Sequence, residues 1–215
     1  MKIVRDGYPF VIVTLIIAVL VTYFYGPVWG GVPLAAALYF AYFFRNPERP
    51  FPNDENVLYS PADGHVMNVE EIYDDEFLNA KVKKVTIFLS VFDVHVNRSP
   101  MTGEIKYQQY NVGKFVPAFE KQATFKNERH AIGLDNGKFK IVVIQIAGLL
   151  ARRIVSWVTL GNKLQQGECY GMIKFGSSTE LIMPMNFKIL VHKGQRVVGG
   201  ITKIAEILGE EENEL

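Results

Sequence analysis

The chain has 215 residues, 49% of them apolar, which is enough for one buried core with an appendage and no need of metals or cross-links. Its 23 basic and 22 acidic residues leave a net charge of +1, which excludes a global field that would draw it to nucleic acid or to an anionic surface. The single cysteine, Cys169, excludes an internal disulfide; it reads as a buried thiol in a fold suited to a reducing compartment.

No charged residue occurs between Asp6 and Arg45, and this interval holds two apolar runs, Phe10 to Tyr25 and Val28 to Phe44. Each falls slightly short of the about 20 residues that a spanning helix needs. Gly26-Pro27 and Gly30-Gly31 break the tract, so the expectation is a hydrophobic helical hairpin that dips into or crosses a bilayer. Such a hairpin brings Lys2 and Arg5 to the same side as Arg45 and Arg49, and basic flanks favour the cytoplasmic side of a cell membrane. A cleavable signal is disfavoured, because Asp6 interrupts the basic start and no small-x-small site follows the first run. Two soluble core helices are also disfavoured, since neither run carries a polar stripe.

Arg45 to Asn53 is charged and rich in proline, and reads as a linker. The predicted organisation is therefore an anchor and linker over residues 1–50 and a second domain over 51–215. From Gly64 onward, short β-branched runs alternate with turn residues: Gly64 to Ile72, Lys84 to Val91, Thr102 to Asn111, Ala131 to Leu134, Lys138 to Ala147, Arg153 to Leu160, Glu180 to Pro184 and Lys188 to His192. They predict a mainly β (α+β) body, a compact antiparallel barrel or sandwich. Asp135-Asn136-Gly137 predicts a tight hairpin turn with positive φ. Helical spacing is confined to Phe115 to Gln122 and Thr202 to Leu208, and the acidic end, residues 209–215, reads as a frayed tail.

The usual metal and nucleotide signatures are missing: there is no paired-cysteine zinc site, no His-Glu-x-x-His and no glycine-rich phosphate loop. His65, His95, His130 and His192 are scattered without metal-ligand spacing, so no metal is expected. Three polar stretches stand out against the β pattern. They are Ser60-Pro-Ala-Asp-Gly64, Ser90-Val-Phe-Asp-Val-His-Val-Asn-Arg-Ser-Pro100 and Phe175-Gly-Ser-Ser-Thr-Glu180.

In their order, and with an apolar segment ahead of them, these stretches resemble the phosphatidylserine decarboxylase family, in particular its short-chain pyruvoyl-dependent branch. The resemblance covers essentially the whole second domain. It implies a proenzyme that cuts itself between Gly176 and Ser177, giving a large subunit, 1–176, and a small one, 177–215. Ser177 Oγ would attack the Gly176 carbonyl, and glycine leaves that approach open. Asp63 and His95 match the aspartate and histidine that serve the cleaving serine in the manner of a Ser-His-Asp triad. Elimination and hydrolysis would then leave a covalent pyruvoyl group derived from Ser177, and no external cofactor is implied.

That group would condense with the amine of a serine headgroup as a Schiff base and accept the electrons left as carbon dioxide departs. The implied substrate is phosphatidylserine in a membrane and the product phosphatidylethanolamine. Asn97, Arg98, Ser178 and His65 are candidate substrate-binding residues, and His65 is also a candidate proton donor in decarboxylation. An ether-linked archaeal serine lipid would undergo the same headgroup chemistry. A noncatalytic membrane-tethered β module that binds lipid, and a decarboxylase of a soluble amino acid, are the competing readings. The oligomeric state, a homo-oligomer included, is left open.

Overall fold

The computed structural model describes residues 2–50, 53–113, 127–148, 153–174 and 177–208. The chain divides into two compact units, Met1–Glu48 and Arg49–Leu215. The division falls inside the proline-rich stretch and leaves Arg49 with the second unit.

In the first unit, strand β1 (Lys2–Ile3) and a short 3-10 turn (Arg5–Gly7) lead into helix α1 (Tyr8–Tyr25). Gly26, at φ +90°, reverses the chain, and Pro27 opens helix α2 (Pro27–Phe43). Strand β2 (Arg45–Asn46) then pairs antiparallel with β1, Lys2 opposite Asn46, which closes the base of the hairpin. The buried positions of the two helices are Ala18, Gly30, Ala37 and Phe43. Small residues let the helices approach: a Cβ on Gly30 would lie 1.8 Å from Thr22 Oγ1. Large apolar side chains, among them Ile12, Ile16, Val19, Leu20, Val32 and Leu38, point outward. Residues 5–25 together are long and apolar enough to cross a membrane, with a mean hydropathy of 2.2 over an 18-residue window.

Among the described residues the second unit has fourteen further strands. In chain order they are β3 (Val57–Tyr59), β4 (Gly64–Asp74), β5 (Ala80–Leu89), β6 (Val96–Arg98), β7 (Gly103–Asn111), β8 (Arg129–Asp135) and β9 (Lys140–Ala147). Then come β10 (Arg153–Ser156), β11 (Lys163–Leu164), β12 (Cys169–Lys174), β13 (Ser177–Pro184), β14 (Phe187–Ile189), β15 (Arg196–Val197) and β16 (Lys203–Ile207). An eight-stranded sheet runs β11-β7-β8-β9-β13-β5-β4-β15, and two three-stranded sheets run β10-β12-β6 and β14-β16-β3. All neighbours are antiparallel, as expected for hairpin-connected strands.

The large sheet curls into a half-barrel, in keeping with the expected mainly β fold. One of its faces carries the main core, Val85, Ile87, Leu89, Ile132, Leu134, Ile141, Val143, Leu181 and Met183 among others, with alternate residues on the other face.

Two local expectations are corrected. Thr202 to Leu208 is not a helix: Lys203–Ile207 forms β16 between β14 and β3, because five residues gain more from two ladders than from a single helical turn that is costly to nucleate. The β8–β9 connection is a four-residue loop, 136–139, in which only Gly137 has a positive φ (+85°). The Asp135 carboxylate accepts from Gly137 N at 2.8 Å, and the Asn136 side-chain oxygen accepts from Lys138 N and Phe139 N, so side-chain caps replace a two-residue turn. The helix predicted over Phe115 to Gln122 and the frayed tail over 209–215 lie outside the described residues.

Candidate active site

Ser177 opens β13, the strand held between β9 and β5. It sits opposite Ala147 on one side and Leu89 on the other, both fully buried, and is itself inaccessible to solvent. Its hydroxyl finds no hydrogen-bond partner among the described residues. An orphaned buried hydroxyl costs on the order of 1–3 kcal/mol, so its retention at this position calls for a chemical reason. Gly176 lies outside the described residues.

His95 lies in the segment between β5 and β6 and is fully buried. Its peptide oxygen accepts from Ile173 N at 3.1 Å, which ties it to the strand that ends shortly before Ser177. The ring Nδ1 lies 3.0 Å from the Asp93 peptide oxygen. A carbonyl oxygen can only accept, so Nδ1 carries a proton, and in its neutral form the ring then has its lone pair on Nε2, as a general base requires.

Asp63 and His95 share no hydrogen bond among those described. The Asp63 carboxylate is clasped by both ends of the Arg49 guanidinium, at 2.7 and 2.8 Å, and accepts a third bond from Gly199 N at 2.9 Å. Arg49 Nη1 also donates to Gly199 O, so this ion pair pins the turn before β4 to the one after β15. The contact described for the imidazole is with the Asp93 peptide; the Asp93 carboxylate accepts from Ser90 N and, at 3.1 Å, from Arg196.

Asn97 is where the three polar stretches meet. Its amide nitrogen donates to Thr179 Oγ1 at 3.1 Å and to Pro61 O at 3.4 Å, and its oxygen accepts from Gln145 Nε2 at 2.8 Å. This buried amide is committed inside the fold, which leaves little of it for a ligand. Arg98 is buried too, donating from Nη1 to Gly167 O and from its peptide nitrogen to Pro61 O. Burial, assisted by the like charge of Arg49, pulls its guanidinium below the ordinary value.

Ser178 and His65 are on the wrong face. Alternation along β13 puts Ser177 and Thr179 on the side of Leu181 and Met183, and Ser178 on the side of Glu180, which pairs with Lys84, and Ile182. Ser178 is opposite Phe88, and Phe88 is opposite His65, so Ser178 and the exposed His65 share the face turned away from Ser177. Neither is brought to the site that the sequence suggested for it.

From the sequence Arg49 was read only as a basic flank of the hairpin, and Gln145 and Thr179 were not singled out as site residues. Arg49 sits in a stretch that reads as linker. Gln145 did leave a signal, as the one polar residue inside Ile141-Val-Val-Ile-Gln-Ile-Ala147; a buried amide there must find partners. Among the described residues no cluster of metal-ligating side chains occurs.

A model of the phosphatidylserine decarboxylase family matches residues 36–205. A protein of Carboxydothermus hydrogenoformans named phosphatidylserine decarboxylase proenzyme is 50% identical over 173 residues, covering 80% of this chain and 81% of the relative. Proteins of the same name from Symbiobacterium thermophilum and Syntrophus aciditrophicus are each 44% identical, the first over 95% of both chains and the second over 92% of this chain and 94% of the relative.

Proposed function

The chain belongs to the phosphatidylserine decarboxylase family, and from that premise we propose that it is a proenzyme that cuts itself between Gly176 and Ser177, carries a pyruvoyl group derived from Ser177, and converts the serine headgroup of phosphatidylserine to ethanolamine with release of carbon dioxide. The observation that supports this most directly is the state of the Ser177 hydroxyl, buried and unpartnered among the described residues. A serine that only filled space would be better replaced by alanine, whereas a nucleophile has to keep its oxygen.

In the cutting step Oγ bonds to the Gly176 carbonyl carbon, the peptide C–N bond breaks, and the Oγ proton is taken up as the Ser177 amine is released. His95 is the proposed proton carrier, because its Nδ1 is committed to the Asp93 peptide and Nε2 is the basic nitrogen. Asp63 supports the site through Arg49, by fixing the turn whose Pro61 oxygen receives Asn97 and Arg98. The pyruvoyl group, once made, supplies the electron sink for decarboxylation. Its place suits a group without a hydroxyl: Leu89 and Ala147 flank position 177, and among the described residues no polar group is paired with Oγ that its loss would strand.

Support for membrane attachment comes from the hairpin, whose large apolar side chains point outward while small ones pack between the helices. Lys2, Arg5 and Arg45 at its base favour a cytoplasmic location for that end. An anchored enzyme would meet a lipid substrate at the interface without extracting it into water.

The test is the intact mass of protein purified from membranes, beside a Ser177→Ala version. The expected result is two fragments divided at residue 176 in the first sample, the smaller one blocked at its N-terminus and sensitive to borohydride, and one whole chain in the second. A whole, folded chain in both would overturn the self-cleavage mechanism and favour a lipid-binding module.

A further inference from the structure

The buried amide of Gln145 belongs to a longer chain of hydrogen bonds whose direction can be assigned end to end. It begins at Gln108 on β7. Gln108 Oε1 accepts from Leu160 N at 3.0 Å and its Nε2 donates to Val158 O at 3.2 Å, so two backbone groups fix which end of that amide is which.

The same Nε2 lies 2.9 Å from His130 Nε2. An amide nitrogen only donates, so His130 Nε2 accepts and the ring is neutral, with its proton on Nδ1. Nδ1 lies 2.9 Å from Gln145 Oε1, the correct acceptor. Gln145 Nε2 then donates to Asn97 Oδ1 and Asn97 Nδ2 to Thr179 Oγ1. Every step runs the same way.

The chain ends on a hydroxyl whose lone pair is used and whose proton is not: among the described residues Thr179 Oγ1 accepts from Asn97 and donates to none. Thr179 shares its strand face with the unpartnered hydroxyl of Ser177, two positions away, a rise of about 7 Å. His130, Gln145, Asn97 and Thr179 are all buried, so water does not compete for these groups. Room for the Gln145 amide is kept by Gly171, where a Cβ would lie 3.2 Å from Nε2 and 2.5 Å from Val155 O.

We infer that Gln108, His130, Gln145 and Asn97 form a one-way relay that holds Thr179 as a hydrogen-bond donor on the Ser177 face, and that these are positioning residues for self-cleavage. The inference rests on the reading of Ser177 as the cleaving residue. Burial holds His130 below its ordinary value of 6.5, which agrees with a ring kept neutral. The groups around that ring are Gln108 and Tyr110 on β7, Gln145 on β9, and Glu128, to which the Tyr110 hydroxyl donates.

The test follows cutting at residue 176 over time in full-length chains made by cell-free translation into lipid nanodiscs. Thr179→Val should slow cutting at least tenfold and Thr179→Ser should recover most of the rate. His130→Leu should slow it similarly. His130→Gln, which supplies one donor and one acceptor in place of the imidazole, should recover it. Because the residues act in series, the Thr179→Val/His130→Leu chain should cut no more slowly than Thr179→Val alone.

Side-chain ¹⁵N shifts of His130 in a Ser177→Ala chain should show the Nδ1–H tautomer at pH 7. The relay is overturned if Thr179→Val cuts at the wild-type rate, if the two slow effects multiply, or if His130 is an imidazolium or the Nε2–H tautomer. If His130→Leu fails to fold, the Thr179 pair and the tautomer still decide. A wild-type chain that stays whole overturns the self-cleavage reading and the relay with it; cutting that is indifferent to these substitutions overturns the relay alone.

Discussion

Arg49 and Asp63 form a two-pronged ion pair, 2.7 and 2.8 Å, in which both side chains are at least nine-tenths buried. Removing one partner strands the other charge, a loss of about 3–5 kcal/mol in such pairs. Asp63→Ala and Arg49→Ala should each lower stability by that order, while the double replacement Arg49→Met/Asp63→Leu should cost less than the two single losses added. Urea denaturation of the uncut Ser177→Ala chain measures this without interference from cleavage.

His95→Ala removes the proposed proton carrier. Cutting should slow by about 10²–10⁴, the usual range for a lost general base. The time course of fragment appearance reads this directly. An unchanged rate would assign the proton to another group.

Gly64 follows Asp63 at φ +152°, and a Cβ there would meet Phe88 O at 2.0 Å. That contact is with backbone and cannot be relieved by rotating a side chain. Gly64→Ala should therefore destabilise by more than about 2 kcal/mol, whereas Gly137→Ala, at φ +85° with open space around it, should lose only about 1 kcal/mol. Paired denaturation curves separate a blocked position from a merely strained one.

His130 binds its proton less readily in the folded chain than in the unfolded one, where its ordinary value is 6.5. The unfolded state therefore takes up more protons as pH falls. The His130 contribution is present above 6.5 and is lost as pH drops through it toward the lower folded value, at up to about 1.4 kcal/mol per pH unit. His130→Gln should lose less stability between pH 7.5 and 5.5 than the parent, and denaturation at the two pH values checks the difference.

Much of this architecture was legible from local pattern. The charge-free tract with its Gly-Pro break reads as a helical hairpin, and the alternating runs read as antiparallel strands, because side-chain period and turn chemistry are local properties. Strand β13 shows where that ends. A run begun at Glu180 omits Ser177 to Thr179, and with them the alternation that sends Ser178 to the opposite face. The polar partners were hidden for another reason. Gln145 meets Asn97 across 48 residues and Arg49 meets Gly199 across 150, and no spacing rule connects positions that only the folded chain brings together. The chemistry itself was announced by three motifs, while the atoms that orient His95 were not, since one of them is a peptide oxygen that any residue would supply.

β13 is the fifth of eight strands in the large sheet and is laddered on both sides, to β5 and to β9. Downstream of it, β15 closes against β4, and β16 lies between β14 and β3. A backbone broken just ahead of Ser177 would thus leave two polypeptides interleaved through two of the three sheets of the second unit, with β13 laddered on both sides to strands of the other piece. Release of either would require breaking the ladders on both sides of β13, so maturation of this kind would be a change of covalent connectivity within one folded body, invisible to any method that reports only size in native solution.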